Sequence, residues 1–105
     1  MGTFVIRLQA PRATFAEDMT DEEREIMGRH GAHWRPYLES GQMVVFGPVL
    51  EDQGSWGLGV LETDDEDALR AFAARDPAVT TGTARMEIGT MPSGFVRPLG
   101  PSEDF

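Results

Sequence analysis

The stretch from Thr20 to Pro48 most narrows what this chain can fold into, because it sets in succession a helix start, a helix face, a helix stop and an apolar strand. Thr20-Asp21-Glu22-Glu23 fits a capping box: the Thr20 hydroxyl accepts from the Glu23 amide, and the Glu23 side chain reaches back to the Thr20 amide. The acidic first turn also suits the positive end of the helix dipole. Ile26, Met27, His30, Trp34, Tyr37 and Leu38 then recur at spacings of three and four. At about 100° per residue they form one stripe with His30 near its middle, and His33 falls roughly 60° to one side. Gly28, Gly31 and Pro36 weaken this helix, and Pro36 removes an amide and crowds the carbonyl of Ala32, so a kink or break is expected between Gly31 and Pro36. Gly41 suits the left-handed position after a helix end, and the apolar run Met43 to Leu50 follows as a strand. Gly47-Pro48 places that strand at a sheet edge or a bulge, since an interior ladder would need the missing amide.

The remaining segments fit around this unit. Phe4, Ile6 and Leu8 alternate with Val5, Arg7 and Gln9, the period of a strand with unequal faces. Ala10 to Met19 reads as a loop, longer than the usual four to six residues or so. After a turn over Glu51 to Ser55, Trp56, Leu58 and Val60 alternate with Gly57, Gly59 and Leu61 in a third strand, whose paired glycines leave room for a close backbone or a ligand. Thr63-Asp64-Asp65-Glu66 reads as a second capping box, opening a helix with Ala68, Leu69, Phe72 and Ala73 on its apolar face. Asp76-Pro77 fits an N-cap with proline in the first helical position, starting a single turn that closes at Gly82. A fourth strand follows around Met86, Ile88 and Thr90, and the prolines and glycines from Met91 onward rule out regular structure. Phe95, Val96 and Leu99 could still dock on a neighbouring surface, whereas Ser102 to Phe105 should be loose.

The order is β-α-β-β-α-β, so the expected class is α+β: a ferredoxin-like four-stranded antiparallel sheet with two helices on one face. One domain is expected over residues 1–91, with a Pro/Gly-bearing tail over 92–105. The sheet face away from the helices, bearing the Gly57 and Gly59 surface and its apolar neighbours, calls for cover by a second subunit, so a homodimer is expected.

Charge removes several functions. Eighteen acidic residues against nine basic ones give a net charge of −9, which repels phosphate backbones and anionic lipid, so neither nucleic acid nor membrane is expected as a partner. The chain has no cysteine, which excludes disulfides, thiolate nucleophiles and Cys-ligated clusters. Without a basic start followed by an apolar run of signal length, a cytoplasmic location is expected, and no cofactor motif is present.

Two residues stand out for chemistry. His30 combines a near-neutral ionisation range with a place on an apolar stripe; it is either a proton-transfer group or a core histidine satisfied by a carbonyl. Asp76 is either an N-cap alone or the partner of His30, 46 positions away, which only the fold could bring close. Arg7 is set to pair across strands with Glu87 or to anchor an anion, and Arg12 in the long loop could hold an anion likewise. Trp34, Tyr37 and Trp56 either line an aromatic pocket or pack the core. His30 and His33 lie at i,i+3 but no third ligand accompanies them, so no metal is expected.

A histidine eleven residues before the Gly41-led strand that ends in Gly47-Pro48 is followed by the Gly-bearing strand Ser55 to Glu62, the acidic capped helix Thr63 to Arg75, and Asp76-Pro77. This order and spacing, over roughly residues 3 to 90, resembles the YciI-like (YCII-related) family. The resemblance implies a dimeric α+β barrel with a histidine and an aspartate in a cleft proposed as an active site. At least one member of that family is a dehydrochlorinase acting on a chlorinated hydroxyhydroquinone. Carried over, the histidine falls on His30 and the aspartate on Asp76, while His33 does not match. The long Ala10 to Met19 segment, Pro36 and the extended tail depart from the simplest members.

Two function classes follow. In the first, the chain is a small-molecule enzyme in which Asp76 orients His30 and His30 removes a proton, with elimination or isomerisation to follow and Arg7, Arg12 and Trp34 contacting substrate. In the second, it is a non-catalytic dimeric binding or accessory module in which His30 is a satisfied core residue.

Overall fold

The structure is a computed structural model, which describes residues 2–95. Strand β1 (Gly2–Gln9) lies inside a four-stranded antiparallel sheet with β2 (Met43–Glu51), β3 (Gly54–Thr63) and β4 (Arg85–Thr90), in the order β2-β3-β1-β4. The long helices α2 (Asp21–Glu39) and α3 (Glu66–Ala74) complete the ferredoxin-like β-α-β-β-α-β order, and two four-residue helices, α1 (Phe15–Asp18) and α4 (Pro77–Thr80), are added to it. The α+β expectation therefore holds. Edge strand β2 carries Pro48, where the missing amide costs no ladder bond on its outer side.

Burial follows the two periodicities. Phe4, Ile6 and Leu8 of β1 are buried on the helix-facing side, where Phe4 and Ile6 meet Trp34 of α2 and Leu69 and Ala73 of α3, together with Met43 and Leu61. Leu8 joins Ile26 and Ala78 in a second cluster nearer α4. Within the α2 stripe, Ile26, His30 and Trp34 are buried as expected, while Leu38 at its end stays exposed.

The Thr20 capping box forms with both of its hydrogen bonds, Glu23 N–H to Thr20 Oγ1 at 3.1 Å and Thr20 N–H to Glu23 Oε1 at 2.9 Å. Gly41 takes a φ of 83°, the left-handed conformation that ends α2.

Four expectations are corrected. Helix α2 runs unbroken through Pro36; Pro36 and Ala32 both face solvent, so the carbonyl that loses its amide partner has water available. The second capping box is not formed at Thr63, because Thr63 still pairs with Gly2 in the sheet; Asp65 is the N-cap instead, accepting from the Ala68 amide at 2.9 Å. The segment from Ala10 to Met19 is not irregular throughout but folds into α1 around a buried Phe15.

The fourth correction concerns the glycines. Leu8 pairs with Gly57 and Ile6 with Gly59, so Gly57 and Gly59 share the helix-facing side of the sheet, not the open one. The open face carries Val5, Arg7, Val45, Leu58 and Val60. Phe95 is 99% exposed, so among the described residues it docks on no neighbouring surface. The expectations for Val96, Leu99 and Ser102 to Phe105 fall outside the described residues. Among the described residues no helix is long and apolar enough to cross a membrane.

Candidate active site

The chain leaves α3 at Arg75 and enters α4 at Pro77, so Asp76 sits at the junction as N-cap, with its side chain turned inward and 0% exposed. Its two oxygens divide their work. Oδ1 accepts from the Ala78 amide at 2.8 Å, which caps α4. Oδ2 accepts from Trp34 Nε1–H at 2.7 Å and lies 2.6 Å from His30 Nδ1. Trp34 and His30 are one helical turn apart on α2, which is why both can reach one oxygen. Burial pushes the Asp76 pKa up, but the hydrogen bonds from His30, Trp34 and Ala78 outweigh it and hold the group below the ordinary aspartate range. The carboxylate is therefore ionised at neutral pH.

An ionised acceptor fixes the ring opposite. With Oδ2 accepting, Nδ1 carries the proton, so a neutral His30 ring presents a bare lone pair at Nε2. Among the described residues Nε2 has no protein partner, and the side chain retains 11% exposure, so this nitrogen is the one open to its surroundings.

Those surroundings are a cavity of about 300 Å³. Its floor is the sheet, where Gly57 and Gly59 carry no side chain over Leu8 and Ile6, and its sides are Met27, His30 and Gly31 of α2 with Phe46 and Pro48 of β2. A Cβ on Gly57 would meet the Leu8 Cβ at 3.2 Å, and one on Gly59 would meet Ile6, Met43 and Phe46 at 3.5 Å, so the glycines create part of this space. Phe15, Ala16 and Met19 close another side. Among the described wall residues His30 is the only titratable one.

The remaining candidates lie elsewhere. Arg12 is engaged with Glu23, in a two-pronged contact at 2.8 Å for each prong, and with Asp18 at 2.8 Å from Nε. The guanidinium holds Glu23 down at a pKa of about 2, helped by the Thr20 amide. The pairing ties the segment bearing α1 to the start of α2, so Arg12 braces the cavity wall and does not enter it. Arg7 pairs in register with Glu87, yet among the described residues it makes no ion pair; its guanidinium stacks 4.2 Å from the Trp56 ring centroid, and Gln9 reaches Glu87 at 3.3 Å instead. Arg7 and Arg12 share a separate polar cleft with Gln9, Gln53 and Ser55. Trp34 is fully buried and absent from the cavity wall. His33 turns away from His30: its Nε2–H donates to the Phe72 carbonyl at 2.8 Å and its ring stacks on Phe72 at 4.1 Å. Among the described residues no three metal-ligating side chains gather.

The sequence reading missed Phe15, Met19 and Phe46 as wall residues and Trp34 as a donor to Asp76. Phe15 carried a signal, a lone large apolar side chain in a polar segment.

The profile of the YCII-related domain matches residues 4–92. The chain belongs to the YCII-related family. No curated protein matches it in sequence. In three dimensions this YCII-related protein is similar to 5-chloro-2-hydroxyhydroquinone dehydrochlorinase from Burkholderia phenoliruptrix AC1100, solved in complex with 2,5-dihydroxybenzoquinone. The TM-score is 0.66 at 16% identity, over 88% of this chain and 95% of that one. At that identity the likeness establishes a common fold.

Proposed function

We propose that this YCII-related protein is a small-molecule enzyme in which His30 moves a proton at Nε2 and Asp76 orients it and stabilises its protonated form. The observation that carries the reading is the 2.6 Å contact between His30 Nδ1 and Asp76 Oδ2, with Nε2 left open to a cavity. A substrate C–H or O–H bond breaks, its electron pair stays on the substrate, and the proton passes to Nε2. The resulting imidazolium sits against the buried carboxylate, so the charge formed on the ring is balanced where it forms. Return of the proton to another substrate atom gives isomerisation; loss of an anionic leaving group gives elimination. Positioned proton transfer of this kind contributes roughly 10²- to 10⁴-fold. Arg12, bound to Asp18 and Glu23, and Trp34, bound to Asp76, act as supports in this reading, and Arg7 lies on the opposite sheet face.

A non-catalytic binding module is the second reading, and it is favoured by the lack of another titratable group in the described wall. Incubation with 5-chloro-2-hydroxyhydroquinone and related hydroxyquinols in deuterated water separates the two. The enzyme reading expects chloride release or deuterium uptake into the ring; binding without either outcome selects the module.

The apolar open face, with Val45 49% exposed beside Leu58 and Val60, further supports a homodimer formed by two such faces. Sedimentation is expected to give twice the chain mass at micromolar concentration, and a monomer there would remove the dimer from the account.

A further inference from the structure

The geometry points to a second binding site, a cleft at Arg7 and Trp56 that takes a small monocarboxylate on the Arg7 guanidinium. The cleft has a volume of about 270 Å³ and His30 is not part of its wall, so the site does not rest on the acid–base reading.

Its frame is built from two segments that meet at one end of the sheet. Gln9 pairs with Trp56 at the end of β1, and the turn from β2 to β3 closes with Glu51 opposite Gly54. Ala13 packs on that turn. Gly54 takes a φ of 137°, and a Cβ there would meet the Ala13 backbone at 3.3 Å, so glycine admits an approach that a side chain would crowd. Arg12, one residue earlier, is held by Asp18 and Glu23, which fixes the opposite wall. The cleft is therefore shaped before any ligand arrives.

Within this frame, strong donors lack acceptors. Arg7 lies opposite Glu87 in the β1–β4 pair, yet Glu87 accepts from Gln9, and the guanidinium sits 4.2 Å from the centre of the Trp56 ring. Stacking on an aromatic ring engages the face of a guanidinium and leaves its in-plane N–H groups open. Among the described residues these groups meet no carboxylate. The Trp56 Nε1–H is buried and likewise has no acceptor among the described residues. Gln53 and Ser55 add neutral polar side chains to the wall.

Charge sets the ligand class. Arg12 is already matched by two carboxylates, so Arg7 supplies the one uncommitted positive charge of the described wall, with Glu51 as the negative one. A carboxylate fits two parallel N–H groups of a guanidinium and brings a single charge. Sulfate brings a second charge for which the wall has no cation, near Glu51 and in a protein of net charge −9. An ammonium has only Glu51 to meet and Arg7 to repel it. At about 270 Å³ the space is at the small end of ligand pockets, roughly 300 Å³ and upward, so the acid is small.

The test follows the two indole N–H signals of the isotope-labelled protein by NMR, near neutral pH and at constant ionic strength, with sodium acetate, sodium sulfate and methylammonium chloride as probes. Trp34 Nε1–H donates to Asp76 and serves as the internal reference. Acetate is expected to shift the Trp56 signal saturably in the millimolar range and to leave that of Trp34 in place. Arg7→Gln, a change at an exposed side chain, should fold and bind acetate at least ten-fold more weakly. Sulfate or methylammonium binding as tightly as acetate overturns the carboxylate assignment. No saturable shift, or the same acetate affinity in Arg7→Gln, overturns the site. A Trp56 signal that moves with protein concentration and ignores acetate gives the guanidinium to a contact between copies of this chain and overturns it as well.

Discussion

Trp34 Nε1 and His30 Nδ1 meet the same oxygen of Asp76, at 2.7 and 2.6 Å, so the indole fixes the carboxylate that fixes the imidazole. Trp34→Phe removes this donor and also leaves part of a fully buried ring's space unfilled. It is expected to cost at least about 2 kcal/mol of stability, since the loss of a hydrogen bond to a buried charge and the cavity add. A chemical denaturation curve measures that loss. The acid limb of any pH–rate profile should also move in the variant, a change that lost packing by itself would not produce.

Asp76 ties stability to pH. Its folded pKa is depressed, so its stabilising contribution is complete above the unfolded value and is lost as pH falls through the folded one. The window therefore opens at about pH 4, near the ordinary aspartate value, and extends downward. Glu23, held at about 2 by Arg12, adds to the same acid slope. An Asp76→Asn protein should be less stable at neutral pH and should show a shallower fall between about pH 4 and 2. Thermal melts across that range would contradict the account if the slopes of the two proteins matched.

Gly59→Ala addresses the cavity floor. The added methyl would meet Ile6, Met43 and Phe46 at 3.5 Å, ordinary contact distance, so the protein should fold with unchanged or higher stability. It also occupies space that a ligand would use, and binding of 5-chloro-2-hydroxyhydroquinone should weaken several-fold by titration. Undiminished binding would place the ligand away from this floor.

How much of this was legible beforehand depended on whether a signal was local. The Thr20 capping box, the alternation of Phe4, Ile6 and Leu8, and the Asp76-Pro77 N-cap are set by neighbours in sequence, and each forms as read. The side of the sheet on which Gly57 and Gly59 fall depends on strand register against β1, which no short window contains. Pro36 misled for a related reason: its cost depends on whether Ala32 faces water, a property of how α2 docks. The two readings of Asp76, cap and histidine partner, proved not to compete, because its two oxygens serve one each.

Arg12→Ala should loosen the wall without touching the chemistry. Loss of the contacts to Asp18 and Glu23 frees the segment carrying Phe15 and Met19. Amide hydrogen exchange over residues 10–19 is expected to speed up while the sheet keeps its protection. Unchanged exchange there would mean that Phe15 burial alone holds the segment.

The most direct measurement is the turnover of His30→Gln beside the wild type on any substrate that the deuterium experiment yields, with circular dichroism to verify the fold. The account predicts a native spectrum and a rate lowered by roughly 10²- to 10⁴-fold. A folded His30→Gln protein that turns over at the wild-type rate would contradict it.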